Sequence, residues 1–216
     1  MLFLNSKIAL DAVVPRENLP PSCVSNRYDD LLSLVEASDH PWIMKPANEG
    51  CGADVFFIDK NDKNARALMQ SATGNEVSRH EMYGRATIGL SRTFTTLQAF
   101  VPNVKLNEKR ILIAGGMPFA GFRRFLGDVD HRGNVTLGVD FEAPNLTSEE
   151  DAFCRRLGWA LRTHGIRYCG VDLAYPYVFE LNLANPGGLN YEFRATGIDR
   201  SDEAVALVLA SFEADE

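Results

Sequence analysis

Apolar and polar positions along this chain change their spacing several times, and each change marks an element. Trp42-Ile43-Met44-Lys45-Pro46, a glycine-containing stretch over 47–54, and Val55-Phe56-Phe57-Ile58 predict strand, turn and strand. Leu97 to Pro102 predicts a further strand. After a polar loop, Glu108 to Ala114 predicts another, which Gly115-Gly116 closes into a hairpin. Tyr168–Ala174 and Val178–Leu183 predict two strands joined through Tyr175-Pro176-Tyr177. Helical spacing covers Tyr28–Val35 and Asp59–Gln70. A longer helix starts near Thr147 as N-cap with Glu150 three residues on, carries Phe153, Leu157 and Leu161 on one face, and stops near Gly165. A short helix over Lys7–Val14 ends near Pro15, and Pro20-Pro21 breaks the chain. Glu203–Phe212 predicts a last amphipathic helix, with 213–216 fraying. Residues 71–92 are polar and weakly periodic, which predicts a mobile connection that could act as a lid. Strands and helices therefore mix in an α+β pattern, with no internal repeat and no low-complexity linker.

Composition narrows the function class. At 216 residues and 45% hydrophobic, the chain can bury a core as one domain or two small lobes. A formal net charge of −7 argues against general nucleic-acid or anionic-membrane binding. No apolar run approaches the roughly 18 residues of a membrane span, and Met1-Leu2-Phe3-Leu4 is too short for a signal peptide. The cysteines at 23, 51, 154 and 169 form no CxxC pair and have no histidine at zinc spacing. Reduced thiols and a cytoplasmic location are the expectation, with Cys154 and Cys169 buried. Cys51 reads as a small turn residue.

Candidate chemistry falls in three places. Asp172 lies on one predicted strand of the 168–183 hairpin; Glu180 and Asn182 share a face of the other. Two carboxylates and an amide oxygen on a rigid sheet make a hard-oxygen site of the kind Mg²⁺ takes beside phosphates. A plain half-buried hairpin accounts for these residues equally well. Lys45 ends a strand just before Gly50 and Gly52, where backbone N–H groups could approach phosphate oxygens. Taken alone, that segment is better read as an ordinary glycine hairpin, and it contains no Walker pattern. Arg110, Arg123, Arg124 and Arg132 cluster within 23 residues of an acidic chain, which points to a focused anion site, although a solvated basic face explains any single one. His40, His80, His131 and His164 are scattered; only His131 neighbours this chemistry, and a loop role suffices for it. No Ser/His/Asp or Cys/His nucleophile arrangement stands out.

The order of these segments resembles the ATP-grasp superfamily, within it the bacterial glutathione synthetase and ribosomal-protein-modifying glutamate ligase branch. The order is Lys-Pro with a glycine turn, Gln-Ala-Phe-Val-Pro, Glu-Lys-Arg-Ile-Leu-Ile, Arg-Gly-Asn, Gly-Val-Asp and Glu-Leu-Asn, and the likeness runs from about Asn5 to about Ile198. The resemblance implies two α+β lobes of mostly antiparallel sheet clamping ATP, here residues 1–97 and 98–216. It implies Mg²⁺, with Mn²⁺ as a substitute, and an acyl phosphate that an amine attacks to give ADP, phosphate and an amide or peptide bond. By this resemblance Lys7 and Lys45 contact ATP, with Gly50 and Gly52 at the phosphates. Gln98, Ala99, Phe100 and Val101 form the adenine hinge, and Glu108 stands where the family has Asp on the ribose. Arg110, Arg124 and Arg132 neutralise phosphate and transition-state charge, and Asp172, Glu180 and Asn182 hold metal. Asn134, Asn185, Gly187 and Gly188 face the acyl substrate.

The glycine turn is sparser than the family's, and Val135-Thr136-Leu137-Gly138 replaces a Gly-Gly pair after Arg-Gly-Asn. Relatives carry a domain ahead of the nucleotide lobe, and the expectation is that this chain lacks it. The function expected is an ADP-forming carboxylate–amine ligase acting on a small carboxylate and amine, or a peptide. An ATP-binding regulatory or partner-dependent subunit is the alternative, and a fragment of a longer synthetase is a third reading. A homo-oligomer or partner subunit is compatible with either of the first two. The acyl donor and the amine are not legible in the residues.

Overall fold

The computed structural model describes residues 7–46, 55–74, 93–102, 104–125 and 140–214. Gly50, Gly52, Cys51, His80, His131, Arg132, Asn134 and most of 71–92 lie outside them, as do residues 215 and 216. The architecture is α+β, built on two antiparallel sheets. The chain divides into a unit of residues 20–101 and a unit of residues 1–19 with 102–216. The boundary expected at 97/98 thus falls four residues later, and the first nineteen residues join the larger unit. Apolar burial is the reason: Ala9, Leu10, Val13 and Val14 sit in one core with residues of the larger unit's sheet and long helix.

The smaller unit contains β1 (Ser22–Ser25), α1 (Tyr28–Glu36), β2 (Trp42–Pro46), β3 (Phe56–Ile58), α2 (Ala65–Thr73) and β4 (Thr95–Ala99). Its sheet runs β1-β4-β2-β3. Alternation puts Trp42, Met44, Ile58, Leu97 and Ala99 on one face, where Leu31 and Val35 of α1 and Met69 of α2 cover them. The other face carries Ile43, Lys45, Phe57, Thr96 and Gln98. The helix expected over Asp59–Gln70 begins later, at Ala65. Asp59 and Asp62 explain the delay, because their carboxylates accept from the backbone N–H groups of Asn61 and Asn64 and hold that stretch in turns. Edge strand β1 carries no sequence signal strong enough to predict it.

The larger unit begins with 3₁₀ turns at Lys7–Ala12 and Arg16–Asn18, where a short helix was expected. Then come α3 (Val104–Asn107), β5 (Lys109–Ala114), β6 (Met117–Phe125), β7 (Asp140–Glu142), α4 (Ser148–Thr163), β8 (Tyr168–Ala174), β9 (Tyr177–Asn182), α5 (Leu189–Thr196) and α6 (Ser201–Glu213). The sheet order is β7-β6-β5-β8-β9. The α4 start follows the sequence reading: Thr147 Oγ1 accepts from Glu150 N, and Glu150 accepts from Thr147 N. One sheet face, with Ile111, Ile113, Val171, Leu173 and Leu181, packs under Phe153, Leu157 and Leu161 of α4 and the N-terminal turns. The opposite face is covered in part by α5, where Tyr191 stacks on Phe141 with ring centroids 4.7 Å apart and also meets Phe122. The last helix was expected to bury an apolar face, but its buried positions are the small Ala204 and Ser211, and Val205, Leu209 and Phe212 stay exposed. Among the described residues no helix is long and apolar enough to cross a membrane.

Candidate functional site

Beside α5, the same face of the larger sheet gathers charge by register alone. Arg110 on β5 lies directly opposite Asp172 on β8, and Asp172 directly opposite Glu180 on β9. Asn182 faces Gly170 one step along. Directly paired residues point to the same side of a sheet, so Arg110, Asp172, Glu180 and Asn182 form one patch. Asp172 is 4% exposed. Its carboxylate takes the Arg110 guanidinium in a two-pronged ion pair, Nε to Oδ1 and Nη2 to Oδ2. Arg110 Nη1 also donates to the Pro186 carbonyl at 3.3 Å. Burial works against the charged guanidinium, but Asp172, Glu180 and Glu108 outweigh it and hold its pKa above the ordinary arginine value. Asn182 Nδ2 reaches Asp172 Oδ2 at 3.4 Å and the Gly170 carbonyl at 3.5 Å.

Two glycines make room for this patch. A Cβ on Gly170 would lie 2.8 Å from the Pro186 oxygen and 3.1 Å from Arg110 Cδ. Only hydrogen at that position lets the 185–188 segment and the arginine stem cross β8 together. Gly188 caps α5 at φ +99°, and its missing Cβ would meet Leu112 and Phe122 side chains at 2.9 and 3.1 Å.

The donor set fits a hard divalent cation. Each carboxylate oxygen has two lone-pair directions, so Asp172 can serve Arg110 and a cation together, and Glu180 and Asn182 add oxygens from a rigid strand. Among the described residues no three His, Cys, Asp or Glu side chains converge as a metal site, and this patch offers two carboxylates and an amide.

On the smaller unit, Lys45 and Gln98 meet on the non-core face, Lys45 Nζ donating to Gln98 Oε1 at 2.8 Å. Both side chains are buried, and Thr96 lies directly across from Lys45. Ala99 ends β4, and Phe100 N donates to Pro41 O. Phe57 meets Phe100 edge-on at 5.2 Å.

The remaining candidates scatter. Glu108 is half-buried, its N–H donating to Val104 O. Lys7 opens the first 3₁₀ turn and Arg124 pairs in backbone register with Phe141; their side chains are outside the described residues. Asn185 and Gly187 are exposed beside Pro186. Arg123, part of the arginine cluster, pairs with Glu142 across the strands at 3.0 Å. Burial pushes the Cys154 and Cys169 thiols up to about 12, so neither supplies a thiolate nucleophile. An open apolar groove of about 360 Å³, lined by Tyr168, Leu189, Ala204, Val205, Val208 and Leu209, includes none of the candidates.

Sequence reasoning had Gly170 in the Gly-Val-Asp motif and Pro186 in the 185–189 loop but missed their contacts with Arg110, and it missed α5. A signal for α5 was present: Gly188 and Gly197, both left-handed in the structure, bracket the eight residues Leu189–Thr196.

Comparison with known proteins adds a family. The model of the prokaryotic glutathione synthetase ATP-grasp domain matches residues 10–196. A glutathione synthetase of Agrobacterium fabrum (strain C58) is 31% identical over 157 residues, covering 73% of this chain and 44% of that protein. A glutathione synthetase of Prochlorococcus marinus subsp. pastoris is 25% identical over 191 residues, covering 88% and 57%. The chain spans about half the length of the curated relatives it matches. In fold it resembles the D-alanine–D-alanine ligase of Bacillus anthracis complexed with ATP, with a TM-score of 0.60 at 15% identity, over 99% of this chain and 68% of that one.

Proposed function

Because this chain belongs to the prokaryotic glutathione synthetase ATP-grasp family, we propose that it is an ATP-dependent, ADP-forming carboxylate–amine ligase. The observation that carries the reading is the Arg110, Asp172, Glu180 and Asn182 patch, which sits within a family-matched segment and holds the donor types the chemistry needs. A carboxylate substrate takes the γ-phosphoryl group of ATP, giving an acyl phosphate and ADP. An amine then attacks the acyl carbon, phosphate leaves, and an amide or peptide bond results. Its relatives are named glutathione synthetases, so a small peptide carboxylate with an amino acid is the first pair to try.

In this reading Lys45 binds the α- and β-phosphates, and Gln98 fixes its ammonium. Main-chain groups of Ala99–Val101 meet the adenine edge, and Glu108 the ribose. Lys7, Gly50 and Gly52 add nucleotide contacts. Arg124 and Arg132 neutralise charge spread over the transferring group. Asp172, Glu180 and Asn182 would hold Mg²⁺, which when bound offsets the charge of the phosphate oxygens. Asn134, Asn185, Gly187 and Gly188 face the acyl substrate. ATP-dependent phosphate release, screened over amino acids and dipeptides, tests the function; release with none of them counts against it.

One binding consequence is specific. Lys45→Ala removes a charge-assisted phosphate contact worth roughly 1.5–3 kcal/mol, so ATP affinity should fall about tenfold to a hundredfold. Titration calorimetry with unchanged affinity would remove Lys45 from the site.

A further inference from the structure

Arg110 makes three side-chain hydrogen bonds within its own unit. Nε and Nη2 hold the two oxygens of Asp172, and Nη1 holds the Pro186 carbonyl. Its stem runs beside Gly170, where a Cβ would collide with the Pro186 oxygen and crowd the arginine. Three of five N–H groups are thus committed within the protein, among them the whole side-on fork of Nε and Nη2. From this geometry we infer that Arg110 is a positioning residue. It fixes the orientation of Asp172 and, through Pro186, ties the 185–188 segment to the acidic patch.

The inference rests on the proposed function and adds one role to it: Arg110 acts through Asp172 and the Pro186 backbone. Two features support a link rather than simple neutralisation. The forked pair fixes the carboxylate in one plane, which a point charge cannot do. The same guanidinium also anchors the segment that leads into Gly188, the left-handed cap of α5. The metal-facing carboxylate and the entry to α5 then share one rigid strut. Neutralisation alone would need only a cation near Asp172.

Arg110→Lys separates the two accounts, because it keeps the charge beside buried Asp172 but loses the fork and the reach to Pro186. The first arm measures Mn²⁺ binding to the ADP complex by electron paramagnetic resonance, and ADP binding without metal by calorimetry. Loss of an outer partner of a metal ligand typically costs 10–100-fold in metal affinity. Mn²⁺ binding should weaken by roughly tenfold or more on that basis, with metal-free ADP binding unchanged. The second arm needs no ligand: amide hydrogen exchange at 187–190 should quicken in the variant while exchange in α4, around Leu157 and Leu161, stays at the wild-type rate. Wild-type values in either arm overturn the strut, and so does equal acceleration in α4, which marks general loosening. If the wild-type protein binds no Mn²⁺ with ADP, the metal reading of the patch falls, and with it the Asp172 half of this inference; the exchange arm still decides the Pro186 half.

Discussion

Glu180→Gln is expected to abolish turnover and leave the fold intact. Glu180 is half-buried on β9, opposite Asp172 and in the field of Arg110. Glutamine has the same shape and keeps one oxygen, so packing against β8 is preserved. It removes a full negative charge from a patch whose proposed task is to bind a divalent cation beside phosphates. Arg110 already offsets the charge of Asp172, so loss of the Glu180 charge should lower turnover on the order of 10³-fold or more. Phosphate release and the thermal midpoint, measured on the same sample, separate chemistry from folding. Normal Mg²⁺-dependent ATP consumption by Glu180→Gln would falsify the metal assignment.

The largest stability effect is expected one residue before Arg110. Lys109 points to the opposite face of β5, where its ammonium donates to both Glu150 oxygens at 2.8 and 2.7 Å and to the Asn145 carbonyl at 2.8 Å. The side chains are 13% and 8% exposed. Glu150 also closes the cap at the start of α4, so one carboxylate joins the strand, the incoming loop and the helix. Lys109→Met keeps the stem and removes the charge, leaving Glu150 buried without its cation. Breaking a buried pair this way costs about 3–5 kcal/mol, a large share of the stability of a domain this size. Lys109→Met with Glu150→Gln should recover part of the loss, because no lone charge remains. Chemical denaturation of the two variants measures this; a Lys109→Met loss below about 1 kcal/mol would show the pair to be as weak as a surface contact.

These two residues also show where sequence reading stops. Arg110 reads as part of one basic cluster with Arg123, Arg124 and Arg132, and its neighbour Lys109 has no role in that reading. Strand alternation divides them: Lys109 serves Glu150 on the core face, Arg110 serves Asp172 on the other. Which face needs which charge depends on partners 41 and 62 positions away, and no local pattern reports that. By contrast, Glu180 and Asn182 were legible as a pair because period-two alternation and the turn at 175–177 set the β8–β9 register nearly unaided. The Thr147–Glu150 cap was legible for the same reason, being wholly local. Gly170 was visible only as a letter, because its role comes from a segment crossing the strand from sixteen residues on. The short strands β1 and β7 carry too little periodicity to be found, and their pairing is set by β4 and β6.

The central claim is transfer of the γ-phosphoryl group of ATP to a carboxylate, and the identity of the nucleotide product tests it most directly. Phosphorus NMR of the protein with ATP, Mg²⁺ and a productive carboxylate–amine pair should show ADP and inorganic phosphate rising together, one of each per amide bond formed. AMP with pyrophosphate would mean adenylation of the carboxylate, and ATP bound tightly but never consumed would mean a binding module; either result contradicts the account.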